Sequence, residues 1–184
     1  MKVIRITPLA AAVDYDAAKK QLNLDPDDNS QQDFVGDLLL AATQEVENFT
    51  SLTLTPTDYN VKITHFASRV VLPLFPVGAV TGVTYVDDAG AMQTLATDHY
   101  DVDNYGGECI VRFNGDKPAL DLGIPFPVSI AVSAGYAADA LPPQARRSIL
   151  MKITSWFEKR EDHYSPGQMK SSDLLLVPIS RNFP

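Results

Sequence analysis

Three histidines, one cysteine and a pair of closely spaced aspartates are the side chains from which this sequence would have to build catalysis. His65, His99 and His163 lie in separate segments, and none has the i, i+4 partner that sets two imidazoles on one helix face for zinc. They read as structural or surface residues. Cys109 stands in the strand-like stretch ECIVRF, where a lone cysteine behaves as a small buried hydrophobe rather than an activated thiolate. Asp101 and Asp103 flank Val102 and would share a face of a strand, the arrangement of a paired-carboxylate acid–base site, although the same spacing also serves solvated edge carboxylates. Asp25, Asp27 and Asn29 hold alternate positions as in a calcium loop, but Ser30 stands where such a loop needs Gly and Gly36 where it needs the bidentate Glu. The sequence has no phosphate-binding glycine loop, no G-x-S-x-G and no Cys-x-x-Cys pair. The expectation is a protein without catalytic residues, cofactor or metal.

Composition narrows the class. The chain has 184 residues, 45% of them hydrophobic, enough for one full domain or two small ones sharing a core. Its formal charge of −8 argues against sequence-independent nucleic-acid binding, which runs on clustered Lys and Arg that displace counterions. A single cysteine forms no intrachain disulfide and fits a reducing compartment. In MKVIRITPLAAAV the apolar run is short and interrupted by Pro8, so no signal peptide is expected, and no apolar run approaches the roughly 18 residues that span a bilayer.

The elements follow from periodicity. Asp14 precedes YDAAKKQL and is placed to cap a first helix over Asp14 to Leu22, with Asp16 favourable in its first turn. NLDPDDNS reads as a turn that ends in a second cap around Asp28 to Ser30. A second helix then carries Phe34, Leu38, Ala41, Ala42, Val46 and Phe49 at helical spacing, weakened but not ended by Gly36. From about Thr57 the period changes. DYNVKITHF, RVVLPL, VTGVTYVDD, MQTLATDHYDV, ECIVRF and PVSIAVSAGY are strand-like, separated by the Asn, Asp and Gly of tight turns. Val80, Val83 and Tyr85 do not alternate strictly, so that strand has no assigned facing. The helical period returns after Pro142 and Pro143, which suit a helix start, with Ala145, Ile149, Ile153, Trp156 and Phe157 on one face.

Two features stand apart. Arg146 and Arg147 sit in the first turn of that helix, where cations oppose its dipole at a cost of a few tenths to about 1 kcal/mol each when exposed. Water, nearby Asp139 or a carboxylate of another chain would offset them. The tail beyond the Pro166-Gly167 break offers the apolar run LLLVPI, too short for a core of its own, which must dock on its own domain, a neighbouring subunit or a partner.

The order of these elements resembles the head-tail connector (portal adaptor, head-completion) proteins of tailed bacteriophages, in the version with a β-rich insertion. Four stretches carry the resemblance: AAKKQLNLDPDD; AATQEVENFTSLTL; VVLPLFPVGAVTGVTYVDDAGAMQTLATDHYDVD; and VSIAVSAGYAADALPPQARRSILMKITSWFEKRED. The last is the strongest, a strand ending in Gly135-Tyr136 followed by a proline-led helix, an aromatic pair and Arg-Glu. Together they cover most of Ala17 to Asp162. After Phe49 and Thr50 the family continues with Gly and Arg, but Ser51 and Leu52 stand here, so that arginine's contact does not transfer. The tail after His163 aligns with nothing in the family.

The resemblance implies an α+β fold: a small helical bundle of about three main helices with an antiparallel β unit inserted between the second and third. The single connector domain, 1–184, would comprise a helical part (13–55 and 141–163), a β-rich insertion (56–136) and a C-terminal docking tail (164–184). It further implies a non-enzymatic virion protein, a homo-oligomeric ring of about a dozen copies under the portal protein. The ring would extend the DNA channel and offer a platform to a downstream neck, stopper or tail protein. Its location would be the head–tail junction of the virion, and the bacterial host cytoplasm during assembly, with no membrane partner. DNA would only pass through, since an acidic ring repels the phosphate backbone. Heterologous contacts between copies would set Arg146, Arg147, Lys152 and Lys159 of one against Asp33, Asp37, Glu45 and Glu47 of the next. Leu174, Leu175, Leu176, Val177 and Ile179 would dock on the portal; the opposing expectation is an arm folded back on the β unit. The alternative function is a β-rich ligand- or host-binding module of a phage or prophage, which would expose a cluster among Tyr59, Tyr85, Tyr100 and Tyr105. An enzyme would need polar groups converging in a pocket.

Overall fold

The computed structural model describes residues 1–105, 107–159 and 169–181. His163, the Arg160-Glu161 pair of the strongest matching stretch and the Pro166-Gly167 break lie outside them. The chain divides into two units: a β unit of Met1–Pro8 and Pro56–Gly135, and a helical unit of Leu9–Thr55 and Tyr136–Pro184.

The β unit has eight strands: β1 (Lys2–Arg5), β2 (Thr57–Ile63), β3 (Val70–Leu72), β4 (Val77–Val86), β5 (Met92–Thr94), β6 (Tyr100–Tyr105), β7 (Glu108–Phe113) and β8 (Val128–Ala134). They form an antiparallel five-stranded sheet, β1-β2-β8-β4-β5, and an antiparallel three-stranded sheet, β3-β7-β6. β2 and β8 alternate strictly between buried and less buried positions, the period of a sheet with one face on the core. Tyr59, Val61, Ile63, Val83, Val128, Ile130 and Val132 from the larger sheet join Val70, Leu72, Val111 and Phe113 from the smaller in one core. Phe66 closes it edge-on against Phe113 and Tyr85, with ring centroids 5.1 and 5.6 Å apart.

Three details depart from the sequence reading. The stretch MQTLATDHYDV is not one strand: β5 and β6 lie in different sheets, with a 3-10 turn, Thr97–His99, between them. β1 precedes every helix, so the β unit is assembled from two stretches of chain and is not wholly an insertion between the second and third helices. Four residues, two of them charged, carry little strand signal; tertiary contact holds them, with the Arg5 guanidinium donating to Tyr59 Oη at 2.9 Å and lying over its ring. In β4, the pairing with β8 shifts register between Val77 and Ala79 and again between Val80 and Gly82. These bulges explain why its valines did not alternate.

The helical unit contains α1 (Tyr15–Leu22), α2 (Gln32–Thr50), α3 (Pro143–Lys159) and the short α4 (Ser171–Leu174). Asp14 caps α1 as expected, its Oδ1 accepting from Ala17 N at 2.6 Å. The expected cap at Asp28 to Ser30 is corrected. Asp28 bends back to accept from Ser30 N and Oγ, which holds its carboxyl below the usual range, and α2 begins after Gln31 without a side-chain cap. The buried stripe of α2 is also turned by one residue, to Val35, Leu39, Ala42, Thr43, Val46, Glu47 and Thr50, while Phe34 and Ala41 are exposed and Leu38 and Phe49 half-buried. Hydropathy favoured Phe and Leu. The fold could bury the threonines because Thr43 and Thr50 return their hydroxyl protons to Leu39 O and Val46 O one turn back. On α3 the buried set is Ala145, Ser148, Ile149, Lys152 and Ile153; Trp156 and Phe157, expected on the same apolar face, are only half-buried.

Candidate functional site

Catalysis finds no constellation among the described residues. His65 is exposed and shares a hydrogen bond with Thr64 Oγ1; His99 sits apart, beside Asp98. Cys109 is buried in β7, and burial, with the Asp103 charge second, pushes its thiol above the ordinary value. That is the opposite of activation. Asp101 and Asp103 each have a separate cross-strand partner, Asn114 and Arg112. No group of three His, Cys, Asp or Glu is placed to hold a metal among the described residues, and no described helix is long and apolar enough to cross a membrane. In the acidic turn after α1, the ammonium of Lys19 takes the central position, donating to Pro26 O at 2.5 Å and Asn29 Oδ1 at 3.1 Å.

The basic and acidic residues expected at a subunit interface separate into two groups. Arg146, Arg147 and Lys159 on α3, and Asp33 and Asp37 on α2, are exposed. Arg147 already donates to Gln21 Oε1 of α1 at 3.1 Å. The other three are engaged inside the chain. Lys152 is buried and donates to Glu45 Oε1 at 2.8 Å and to Asp173 Oδ1 at 2.6 Å, so these two members of the expected basic and acidic sets, Lys152 and Glu45, pair within one copy. Glu47 is buried, and its Oε1 accepts from Leu54 N at 2.8 Å. Asp173 escaped sequence reading. The signal for it was Lys152 itself, which falls on the same face of α3 as Ala145, Ile149 and Ile153 and therefore required a buried anion.

The C-terminal stretch docks on its own helical unit. Leu176 is fully buried there. Arg181 N donates to Thr50 O at 2.9 Å and Ser180 Oγ to Phe49 O at 3.2 Å, satisfying carbonyls that the end of α2 would otherwise leave open. Of the five residues expected to dock on a portal, Leu176 is thus withdrawn into the core. Leu175, Val177 and Ile179 are half-buried, and Leu174 is 56% exposed. The tyrosines named for a binding module do not cluster on the surface: Tyr59 and Tyr100 are buried, Tyr85 is half-buried against Phe66, and only Tyr105 is open.

The elements and their packing define an α+β protein of four described helices and two antiparallel sheets. No protein-family model and no curated protein matches its sequence. Solved structures share its fold along nearly the whole chain. A chain from the neck of an empty GTA particle computed with C6 symmetry has a TM-score of 0.79 at 19% identity, over 98% of this chain and 95% of that one. A chain from the virion of a native gene transfer agent (GTA) particle gives 0.79 at 22% identity, over 98% and 95%. A third, from the neck of a native GTA particle computed with C12 symmetry, gives 0.75 at 21%, over 97% and 93%.

Proposed function

We propose that this chain is a structural component of the neck of a tailed, phage-like particle. In this reading it forms a ring of about twelve copies under the portal, extends the DNA channel and presents a platform to the next neck or tail protein. The observation that carries it is the fold shared over 98% of the chain with a protein of the GTA neck; the symmetric necks those chains come from support a ring. Between copies, exposed Arg146, Arg147 and Lys159 would face the exposed Asp33 and Asp37 of a neighbour. For portal contact, Leu174 is the one of the five expected docking residues that stays exposed. The chain is assigned no catalytic role, and DNA only passes through.

The test is electron microscopy of particles from the strain encoding the chain, with the solution mass of the purified protein measured beside it. The reading expects a ring of this chain at the head–tail junction. Intact, tailed particles that lack the chain would remove it.

A further inference from the structure

Four strands bound the two sheets of the β unit: β1 and β5 the larger, β3 and β6 the smaller. β3 and β5 are three residues long, a shortness that itself protects an edge. β1 and β6 are longer and have no strand on their outer side among the described residues. Register decides which backbone groups they offer. Ile6 N donates to Asp58 O at 2.8 Å, in step with the Ile4–Asn60 and Lys2–Lys62 pairs, so these residues bond inward and the N–H and C=O of Val3 point outward. Likewise Asn114 N donates to His99 O at 2.8 Å, so Asp101 and Asp103 bond to β7 while Val102 and Asn104 turn theirs outward. Val3 and Val102, at these outward positions, are 40% and 38% exposed.

The two edges carry opposite charge. Lys2 lies directly opposite Lys62, a like-charge pair that works against the sheet, and neither lysine has an ion-pair partner among the described residues. β6 carries Asp101 and Asp103 and follows Asp98. Arg112 offsets Asp103, but Asp101 is held, among the described residues, by the neutral amide of Asn114.

We propose that β1 of one copy adds antiparallel to β6 of the next, joining neighbouring β units through a shared sheet edge. With Val3 opposite Val102, the outward-pointing groups of both strands meet. Lys2 then stands opposite Asp103, and Ile4 opposite Asp101. The added strand brings Lys2 the carboxylate that its own sheet does not provide. Because β1 and β6 are different patches, the contact is heterologous and propagates from copy to copy. This rests on the reading of the chain as a ring subunit and names the surface and chemistry that join it.

The full-length protein tests it in solution, by mass measurement and electron microscopy over a concentration series. Val102→Pro and Val3→Pro each remove an outward N–H without touching the ladder inside the sheet, and each is expected to weaken association by about tenfold or more with an unchanged circular dichroism spectrum. A second route does not depend on proline. Lys2 and Asp103 would form a non-hydrogen-bonded pair with Cα atoms about 4.5 Å apart, within disulfide range, so a mixture of Lys2→Cys and Asp103→Cys variants is expected to give a mixed covalent dimer on oxidation. Association unchanged in both proline variants, with no mixed disulfide, overturns the edge contact and leaves the neck reading intact. A wild-type protein that stays monomeric throughout the series overturns it too, while the particle experiment above judges the neck reading separately.

Discussion

Apart from tyrosines, Thr57 is the one buried polar residue of the β unit among those described, whereas the helical unit buries Lys19, Thr43, Glu47, Thr50, Ser148, Lys152 and Ser172, among others, beside its aliphatic side chains. In a sheet, alternation disposes of polar groups automatically: every second side chain points away from the core, and the ladder satisfies the backbone. Helices joined by irregular segments have no such arrangement. Their ends and the segments between them leave backbone groups open, and here buried side chains bond some of those in the connecting segments and link one helix to another. Glu47 receives Leu54 N, Thr43 receives Ala12 N at 3.1 Å, and Lys152 ties α4 to α2. The β unit is therefore held mainly by apolar packing and the helical unit by packing plus specific polar pairs. The two should fail differently when altered.

The chain carries a native probe for each unit: Cys109, buried in the β unit, and Trp156, its one tryptophan, in the helical unit. The largest effect is expected from Ile130→Ala, at the centre of β8. Removing a fully buried aliphatic side chain there should destabilise by about 4 kcal/mol, read as earlier exposure of Cys109 to a thiol reagent along a urea series. Lys152→Met comes next. It leaves Asp173 and Glu45 without their cation and should cost about 3 kcal/mol, seen in Trp156 fluorescence and as faster hydrogen exchange over 171–181. If Lys152→Met proves neutral, the ion pairs contribute little and the contrast between the units collapses.

Thr43→Val keeps the shape of a side chain that both accepts from Ala12 N and donates to Leu39 O, so its expected loss of about 1.5 kcal/mol isolates hydrogen bonding from packing. The smallest effect has the opposite sign. Gly36 lies within α2, and a Cβ there meets nothing within 4 Å, so Gly36→Ala should stabilise by about 0.5–1 kcal/mol, measured as a later Trp156 transition. A destabilised Gly36→Ala protein would mean that the glycine serves a contact absent from the isolated chain, such as one with a neighbouring subunit.

Legibility in the sequence followed the same division. Five of the six strand-like stretches and both long helices were readable because each has its own period, and the Asp14 cap because its bond is local; MQTLATDHYDV was not, since its two strands pair in different sheets. β1 was not, since KVIR becomes a strand only when β2 offers its edge. The one-residue turn of the α2 stripe was missed for a related reason: hydropathy ranks Phe34 and Leu38 above Thr43 and Glu47, and only their contacts reverse the order. Among the expected interface residues, sequence identified charges but could not separate exposed Arg146 and Asp33 from the Lys152–Glu45–Asp173 cluster, whose members lie 21 and 107 positions from the lysine.

By itself, then, the sequence determined the α+β class and the position of most elements. These depend on the nearest few neighbours along the chain. Tertiary structure decided which polar groups are buried, that Leu176 and Asp173 belong to the helical unit rather than to a free arm, and which strands form the sheet edges among the described residues. Each of those is a free-energy balance between groups far apart in sequence, where the cost of removing a charge or a backbone group from water is offset only by a partner that the fold brings to it.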